Sequence, residues 1–421
     1  MPAGSTCVLF LLCVVQGCER FAFFAMLPLF VLYLQQHLGF TEQGSVLLLG
    51  VFQALSYVGA LPAGAITDRM LGRWPATLLG CALLTLGYGG LALDRPVLLW
   101  PALALMLSGH SFFKPGLNSL GSSLFGTSAA RRERGFLLLH LAINIGAMVS
   151  PLCAEWSRSR GHWPGVFLWA AGAMLLGMTL LSVASLLAKS AAEASTAAPV
   201  SLVEGGSEHR RWQAVRLICA VAVVYWLTAQ QAGSSLVLFA EQNTVRTVSG
   251  LNRSLTVGPG HFASLHSLLV LVLLPLLLLG TAWLRRRGLD LSTPSKMAWG
   301  YIATAAAFAL MGAACLSGGD AGRVSAAWLT GCYIALSLAE LLLAPLGLSL
   351  LTQLSPPRRT SQSVGLWFAS TATGNLLAGI LGIFWGRWPH HRYFAILTML
   401  ALGAAAVLLA RLRRIEIVLP R

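Results

Sequence analysis

Residues 261–284 read HFASLHSLLVLVLLPLLLLGTAWL, 24 residues without one Asp, Glu, Lys or Arg. As a helix this run extends about 36 Å at 1.5 Å per residue. The hydrocarbon core of a bilayer is about 30 Å thick, so the run reads as one membrane span. The rest of the chain repeats the pattern. Of 421 residues, 56% are hydrophobic and 10% charged. Soluble domains carry about 25% charged residues. A water-soluble enzyme of this size is therefore excluded, and the fold class expected is all-α integral membrane. The net charge of +15 fits basic loops at a membrane surface. Nucleic acid is not an expected partner, because no basic patch is interleaved with aromatic residues.

Twelve spans are expected, at roughly 8–34, 44–66, 75–93, 97–123, 136–154, 165–188, 213–239, 261–284, 297–316, 325–351, 362–386 and 393–411. The first stretch is too long for a signal-peptide core and reads as a retained span. The longest polar stretch, 189–211, is rich in Ala, Ser and Glu and contains Pro199. It reads as a flexible linker between an N-terminal six-helix half (1–188) and a C-terminal half with a short tail (212–421). Placing the N-terminus in the cytoplasm puts 19 Lys and Arg on the inner side and 8 on the outer. Both termini are thus expected inside a cell (inner) membrane. Asn252-Arg253-Ser254 is a chance sequon or, in a eukaryote, a glycosylation site.

The eight cysteines form no C-x-x-C, and no cluster has metal-ligand spacing. No G-x-S-x-G, H-E-x-x-H or P-loop occurs. No catalytic residue, metal or cofactor is expected.

Four charges fall mid-span: Glu19, Arg20, Lys114 and Glu340. Each costs about 2.5–3.5 kcal/mol at a helix centre on the insertion scale. Buried ion pairs are weak stability devices, so these charges point to a substrate site, proton relay or gate. Their neighbours line up with them. Gln16, Glu19, Arg20, Phe23 and Phe24 share one face of the first span. His110, Lys114 and Asn118 are spaced i, i+4, i+8, and Pro115 is expected to break that helix. His140 and Asn144 are one turn apart. Tyr333, Ser337 and Glu340 line the tenth span, and Trp367, Thr371 and Asn375 the eleventh. Lys114 and Glu340 belong to different halves, so a pair between them suits an alternating-access gate.

These motifs resemble the proton-dependent oligopeptide transporters of the major facilitator superfamily. Gln16-Gly-Cys-Glu19-Arg20-Phe21-Ala-Phe23-Phe24 is similar to E-x-x-E-R-F-x-Y-Y. Gly64-Ala-Ile-Thr-Asp68-Arg69-Met-Leu-Gly72-Arg73 resembles the superfamily's inner-loop signature. Phe113-Lys114-Pro115, Ile143-Asn144-Ile-Gly146, Glu340-Leu-Leu and Gly365-Leu-Trp367-Phe resemble family segments in family order. The resemblance implies a peptide cavity. Lys114 and Arg20 would attract the carboxylate, and Glu340 and Asn144 would hold the amino end. Trp367, with Phe23 and Phe24, would line side-chain space. Glu19 and Glu340 would take part in proton coupling.

Several positions depart from the pattern. Gln16 replaces a glutamate, and Phe23 and Phe24 replace tyrosines. The seventh span, Trp226-Leu-Thr-Ala229-Gln230-Gln231, lacks a carboxylate. Ser267-Leu-Leu269 stands where an asparagine is common, and the two-helix bacterial insert is absent. His110, His140 and His266 are substitute proton carriers. The expected function is inward, proton-coupled transport of a short or modified peptide or another small zwitterion by a monomer. An uncoupled facilitator or exporter, or a transport-deficient receptor of the same fold, stays open on the residues alone.

Overall fold

The computed structural model describes residues 3–124, 129–191, 208–250, 253–289, 291–355 and 360–418. They form fourteen helices: α1 Ala3–Leu32, α2 Glu42–Val58, α3 Ala60–Ile66, α4 Arg73–Ala92, α5 Leu99–Leu124, α6 Ala129–Arg158, α7 Trp163–Ala191, α8 Glu208–Ala229, α9 Ser235–Gln242, α10 Pro259–Arg286, α11 Thr293–Ala314, α12 Ala326–Leu354, α13 Thr360–Gly382 and α14 His390–Glu416. Eleven stretches among the described residues are long and apolar enough to cross a membrane. The expected fifth span lies within α6, whose first turns carry Arg131, Arg132, Glu133 and Arg134; α6 is not among the eleven.

Four local expectations are corrected. Pro115 does not end its helix, because α5 continues to Leu124. A proline removes one backbone donor, and a buried membrane helix satisfies the freed carbonyl through neighbouring groups. The stretch 189–211 is not all linker, since α7 reaches Ala191 and α8 begins at Glu208. Glu155, just outside the expected span 136–154, is instead buried near the end of α6 and paired with Arg158 one turn on, Nη2 to Oε1 2.6 Å. The chain is also not purely helical. Strand β1 (Thr244–Val245) pairs in parallel with β4 (Val324–Ser325), and β2 (Thr247–Gly250) forms an antiparallel ladder with β3 (Arg253–Thr256). Asn252 of the sequon lies outside the described residues.

The described residues cluster into two compact units. One draws on Met1–Tyr33 and Leu55–Ser201, the other on Leu34–Ala54 and Leu202–Arg421. In the first unit α1 packs on α6 and α7, and α4 on α5 and α7. Small residues make the closest approach possible, as in membrane bundles generally. A Cβ on Gly146 of α6 would stand 2.5 Å from the Gly17 carbonyl oxygen of α1. Between α3 and α4 the chain widens into one π-type turn, Thr67–Leu71, and reverses at Gly72. Gly72 has φ +75° and ψ 164°, a region open essentially to glycine alone.

In the second unit α8, α11, α12, α13 and α14 enclose an apolar core that includes Ile218, Ala298, Leu343, Leu350 and Leu408. Tyr301 of α11 is fully buried there. Its hydroxyl donates to the Val221 carbonyl of α8 at 2.6 Å, so a buried polar group is satisfied across helices. At one end of this unit, the Asp320 carboxylate accepts the backbone N–H of His391 at 2.9 Å and also pairs with its ring.

Candidate functional site

The two mid-span charges of α1 are adjacent in sequence and bound to each other. The Arg20 guanidinium grips both oxygens of Glu19 through Nε and Nη2. Glu19 is 1% exposed. Gln16, one turn earlier, donates Nε2–H to Glu19 Oε2 at 3.3 Å. His110 of α5 places Nδ1 3.2 Å from Oε1. Glu19 is thus ringed by donors, the environment of an ionised carboxylate. An ionised glutamate at position 16 could not make this donation; the amide can.

Phe23 stands one turn beyond Glu19 and is buried. The Arg20 Cζ lies 4.8 Å from its ring centroid. The His110 and Phe24 rings both meet it edge-on at 5.4 Å. Lys114, one turn beyond His110 on α5, holds its Nζ 4.3 Å above the Tyr57 ring and 5.8 Å from Phe23. Aromatic faces stabilise a cation by about 0.5–2 kcal/mol while leaving its charge uncancelled. The Glu19–Arg20 pair is neutral, so the local sum over these three residues is one positive charge, on Lys114. That is the electrostatics of an anion site in low dielectric.

Sequence reasoning missed Tyr57 and Tyr88. Tyr57 forms the floor under Lys114. Tyr88 of α4 is fully buried, its hydroxyl has no partner among the described residues, and it lies within electrostatic reach of Glu19 and Arg20. The available signal was a phenol in the middle of an otherwise apolar span.

Asn144 of α6 is buried. It stands two residues before Gly146, whose missing Cβ lets α6 close on α1 at Gly17, inside the Gln16–Phe24 motif. Two segments singled out separately in the sequence are therefore the two sides of one helix contact. Among the inner-loop residues, Gly64 is half-buried in α3 and Arg69 and Arg73 are exposed. The side chains of Asp68, Asn118 and His140 lie outside the described residues.

In the second unit, Glu340 of α12 is bound to His266 of α10, Nε2 to Oε2 2.7 Å. Ser337, one turn before Glu340, meets the other ring nitrogen, Oγ to Nδ1 2.9 Å. Phe262 and Tyr333 stack beside this cluster at 6.1 Å. Both His266 and Glu340 remain part-exposed, at 19% and 35%. His266 immediately precedes Ser267, so the segment without the common asparagine still brings a nitrogen ligand to Glu340.

Trp367 of α13 is 5% exposed and packed in the apolar core. Gly347 of α12 makes room for it, since a Cβ there would lie 2.6 Å from the indole Cη2. Thr371 and Asn375 are buried one and two turns on. In the seventh-span segment without an acid, Gln231 is fully buried and satisfied. Its Oε1 accepts from Ser235 at 2.6 Å and Tyr393 at 2.8 Å, and its Nε2 donates to the Leu227 carbonyl at 3.0 Å.

The sequence profile of the POT family matches residues 75–196 and 181–385. The chain belongs to the POT family. It is 27% identical over 438 residues to the peptide transporter YePEPT of Yersinia enterocolitica subsp. palearctica serotype O:3 (strain YE-P4), with 86% of this chain and 85% of that one covered. It is 27% identical over 411 residues to dipeptide and tripeptide permease A of Edwardsiella piscicida, covering 86% and 82%. Among solved structures, a POT family transporter in complex with 5-aminolevulinic acid superposes with a TM-score of 0.84 at 20% identity, covering 97% and 96%. Peptide transporter POT in complex with sulfate gives 0.85 at 24%, covering 98% and 95%. This POT-family chain is thus a multi-pass membrane protein with the fold of those transporters, and not an enzyme.

Proposed function

We propose that this POT-family chain carries short peptides across a bacterial inner membrane by alternating access, with protons as the driving ion and both termini in the cytoplasm. The observation that carries the reading is that the two units carry opposite chemistries, one in each. An uncancelled Lys114 stands beside the neutral Glu19–Arg20 pair in one unit, and the part-exposed acid Glu340 in the other. A zwitterionic peptide presents the complementary charges at its two ends. The names of the curated relatives support the substrate class.

In this reading the peptide carboxylate meets Lys114, and its ammonium meets Glu340 and Asn144. A proton taken up by Glu19 cancels the charge that holds Arg20 and frees the guanidinium for the carboxylate. Between peptides, Lys114 and Glu340 pair as a gate that substrate exchange opens and closes. Phe23 and Phe24, apolar where hydroxyls are common, favour apolar side chains. Trp367 lines this side-chain space from α13. The six-helix halves, 1–188 and 212–421 around the stretch 189–211, are the moving bodies. One chain carries the whole set, so the monomer is the transport unit even though one solved relative is tetrameric.

A second reading, transport without tight coupling or in the outward direction, is favoured by Gln16 and by the seventh-span segment 226–231, which holds no carboxylate. Labelled dialanine uptake into proteoliposomes, with an inward proton gradient and with the gradient collapsed, separates the two. Gradient-dependent accumulation that Lys114→Ala and Glu340→Gln each abolish is the expected result. Equilibration without accumulation supports the second reading. Full accumulation by either variant refutes the assigned roles.

A further inference from the structure

The hydrogen bonds around Glu340 fix where protons reside. Ser337 Oγ lies 2.7 Å from the Tyr333 carbonyl one turn back, 3.2 Å from the His266 carbonyl and 2.9 Å from His266 Nδ1. A hydroxyl has one proton to donate. Two oxygens 2.7 Å apart with no proton between them repel, and a serine in a helix ordinarily donates to the carbonyl four residues back. The Ser337 proton therefore goes to Tyr333. Ser337 then accepts from His266, and Nδ1 must carry a hydrogen.

With Nδ1 protonated, the 2.7 Å contact between Nε2 and Glu340 Oε2 needs a second proton. It sits either on Nε2, giving imidazolium and carboxylate, or on Oε2, giving neutral imidazole and carboxylic acid. The net charge of the two residues is zero in both cases. Without that proton, two lone pairs face each other at hydrogen-bond distance, and the contact breaks.

We propose that His266 and Glu340 are a proton-holding dyad, and that its proton and the ammonium of the substrate compete for the one carboxylate. This rests on the reading above in which Glu340 takes the peptide's amino end. When a primary ammonium arrives, the shared proton leaves to water and Nδ1–H stays on Ser337. Two N–H groups of the ammonium then donate to Oε2 and to the vacated Nε2 lone pair. Counted over His266, Glu340 and whichever of the shared proton and the ammonium is bound, the net charge is zero before and after the exchange. On its own the dyad exchanges a proton for an ammonium; a proton travelling with the peptide is carried elsewhere, by Glu19. An N-acetylated peptide brings neither the charge nor the donors and is rejected.

Other polar groups on the described neighbouring elements have partners of their own. From α12, Tyr333 faces the His266 ring at 5.8 Å, and its hydroxyl donates to the Ala232 carbonyl at 3.4 Å. From α9, Glu241 is held by Arg246 at 2.6 Å. On α10 itself, His261 is bonded to the Gly258 backbone at 3.0 Å.

Two measurements on the full chain test this. The first needs no substrate: ¹⁵N-histidine NMR in detergent, with the His266 signal identified by its loss in His266→Asn, or in His266→Gln if the first variant folds poorly. Nδ1 protonated in the wild type is expected; a bare Nδ1 beside a protonated Nε2 overturns the dyad. The second is calorimetry of dialanine binding in two buffers of different ionisation enthalpy. Release of about one proton per peptide is expected from the wild type and none from His266→Asn. Equal release from both, or none from a wild type that binds, overturns the competition. A wild type that neither binds nor moves dialanine counts against the peptide reading, and the NMR result then decides the dyad alone.

Discussion

Replacing Gly146 by alanine tests whether the α1–α6 contact sets the geometry of the charge cluster. The new Cβ would stand 2.5 Å from the Gly17 carbonyl oxygen and 3.0 Å from the Phe21 amide nitrogen. Both neighbours are backbone and cannot swing aside, so α6 must retreat from α1 by about 1 Å to restore an ordinary contact. Such overpacking costs about 1–3 kcal/mol. Alanine returns about 0.5–1 kcal/mol of helix preference over glycine, leaving a net loss of roughly 0.5–2 kcal/mol. The same retreat moves α6, and Asn144 with it, relative to the α1 segment that carries Glu19 and Arg20. Misplacement on that scale weakens cooperating groups by up to about a hundredfold.

The assay is unfolding temperature in detergent together with apparent dialanine affinity, for three variants. Gly17→Ala probes the same contact from the other side, where a Cβ comes no nearer than 3.4 Å, to the Ala142 oxygen; Gly172→Ala points into open space. Gly146→Ala should lose both stability and affinity, while Gly17→Ala stays close to the Gly172→Ala control. If Gly146→Ala matches that control, or if Gly17→Ala is hit as hard as Gly146→Ala, the close-approach argument is wrong.

Gln231→Glu removes the donor to the Leu227 carbonyl and sets two acceptors 3.0 Å apart. It should cost about 1–3 kcal/mol at neutral pH and recover in acid, where a carboxylic acid again supplies a proton; an unchanged melting temperature at neutral pH would count against it. In the loop before β4, burial alone would raise the Asp320 carboxyl, but the His391 hydrogen bonds outweigh it and hold Asp320 below the ordinary carboxylate range. The unfolded chain therefore takes its proton first as pH falls. The stabilisation is intact above about pH 4 and is lost below it, so the melting gap between wild type and Asp320→Asn should shrink on acidification. A gap that widens would reverse the sign. Tyr57→Ala should weaken binding of the peptide carboxylate by removing the ring beneath Lys114, whereas Tyr57→Phe should not; equal losses in both would assign the effect to the hydroxyl.

The spans, and the shared face of Gln16, Glu19, Arg20 and Phe23, were legible because helical periodicity is a property of one segment at a time. Pairings between helices were not. Nothing in the spacing of His266 or Glu340 says that α10 and α12 are neighbours, and nothing in Tyr57 says that it underlies Lys114. The Pro115 break failed for a related reason: the local rule penalises a lost backbone bond, whereas the buried helix compensates through its surroundings. The short ladders at 244–256 and 324–325 were invisible because strands of two to four residues carry too few positions to show alternation. The segment 226–231 showed only the lack of a carboxylate, and only the partners of Gln231 reveal an amide using donor and acceptor together.

The order in which the chain is made gives the Glu19–Arg20 pair a further meaning. Helix α1 packs chiefly on α6 and α7, which are synthesised more than a hundred residues later. Until they arrive, the first span must reside in lipid without its partners, carrying a full acid and a full base. Because the two are adjacent and grip each other, the nascent helix brings its own counter-ion and enters the bilayer as a neutral segment. Separating the pair by moving the arginine along the helix would then burden insertion itself, before any question of transport arises.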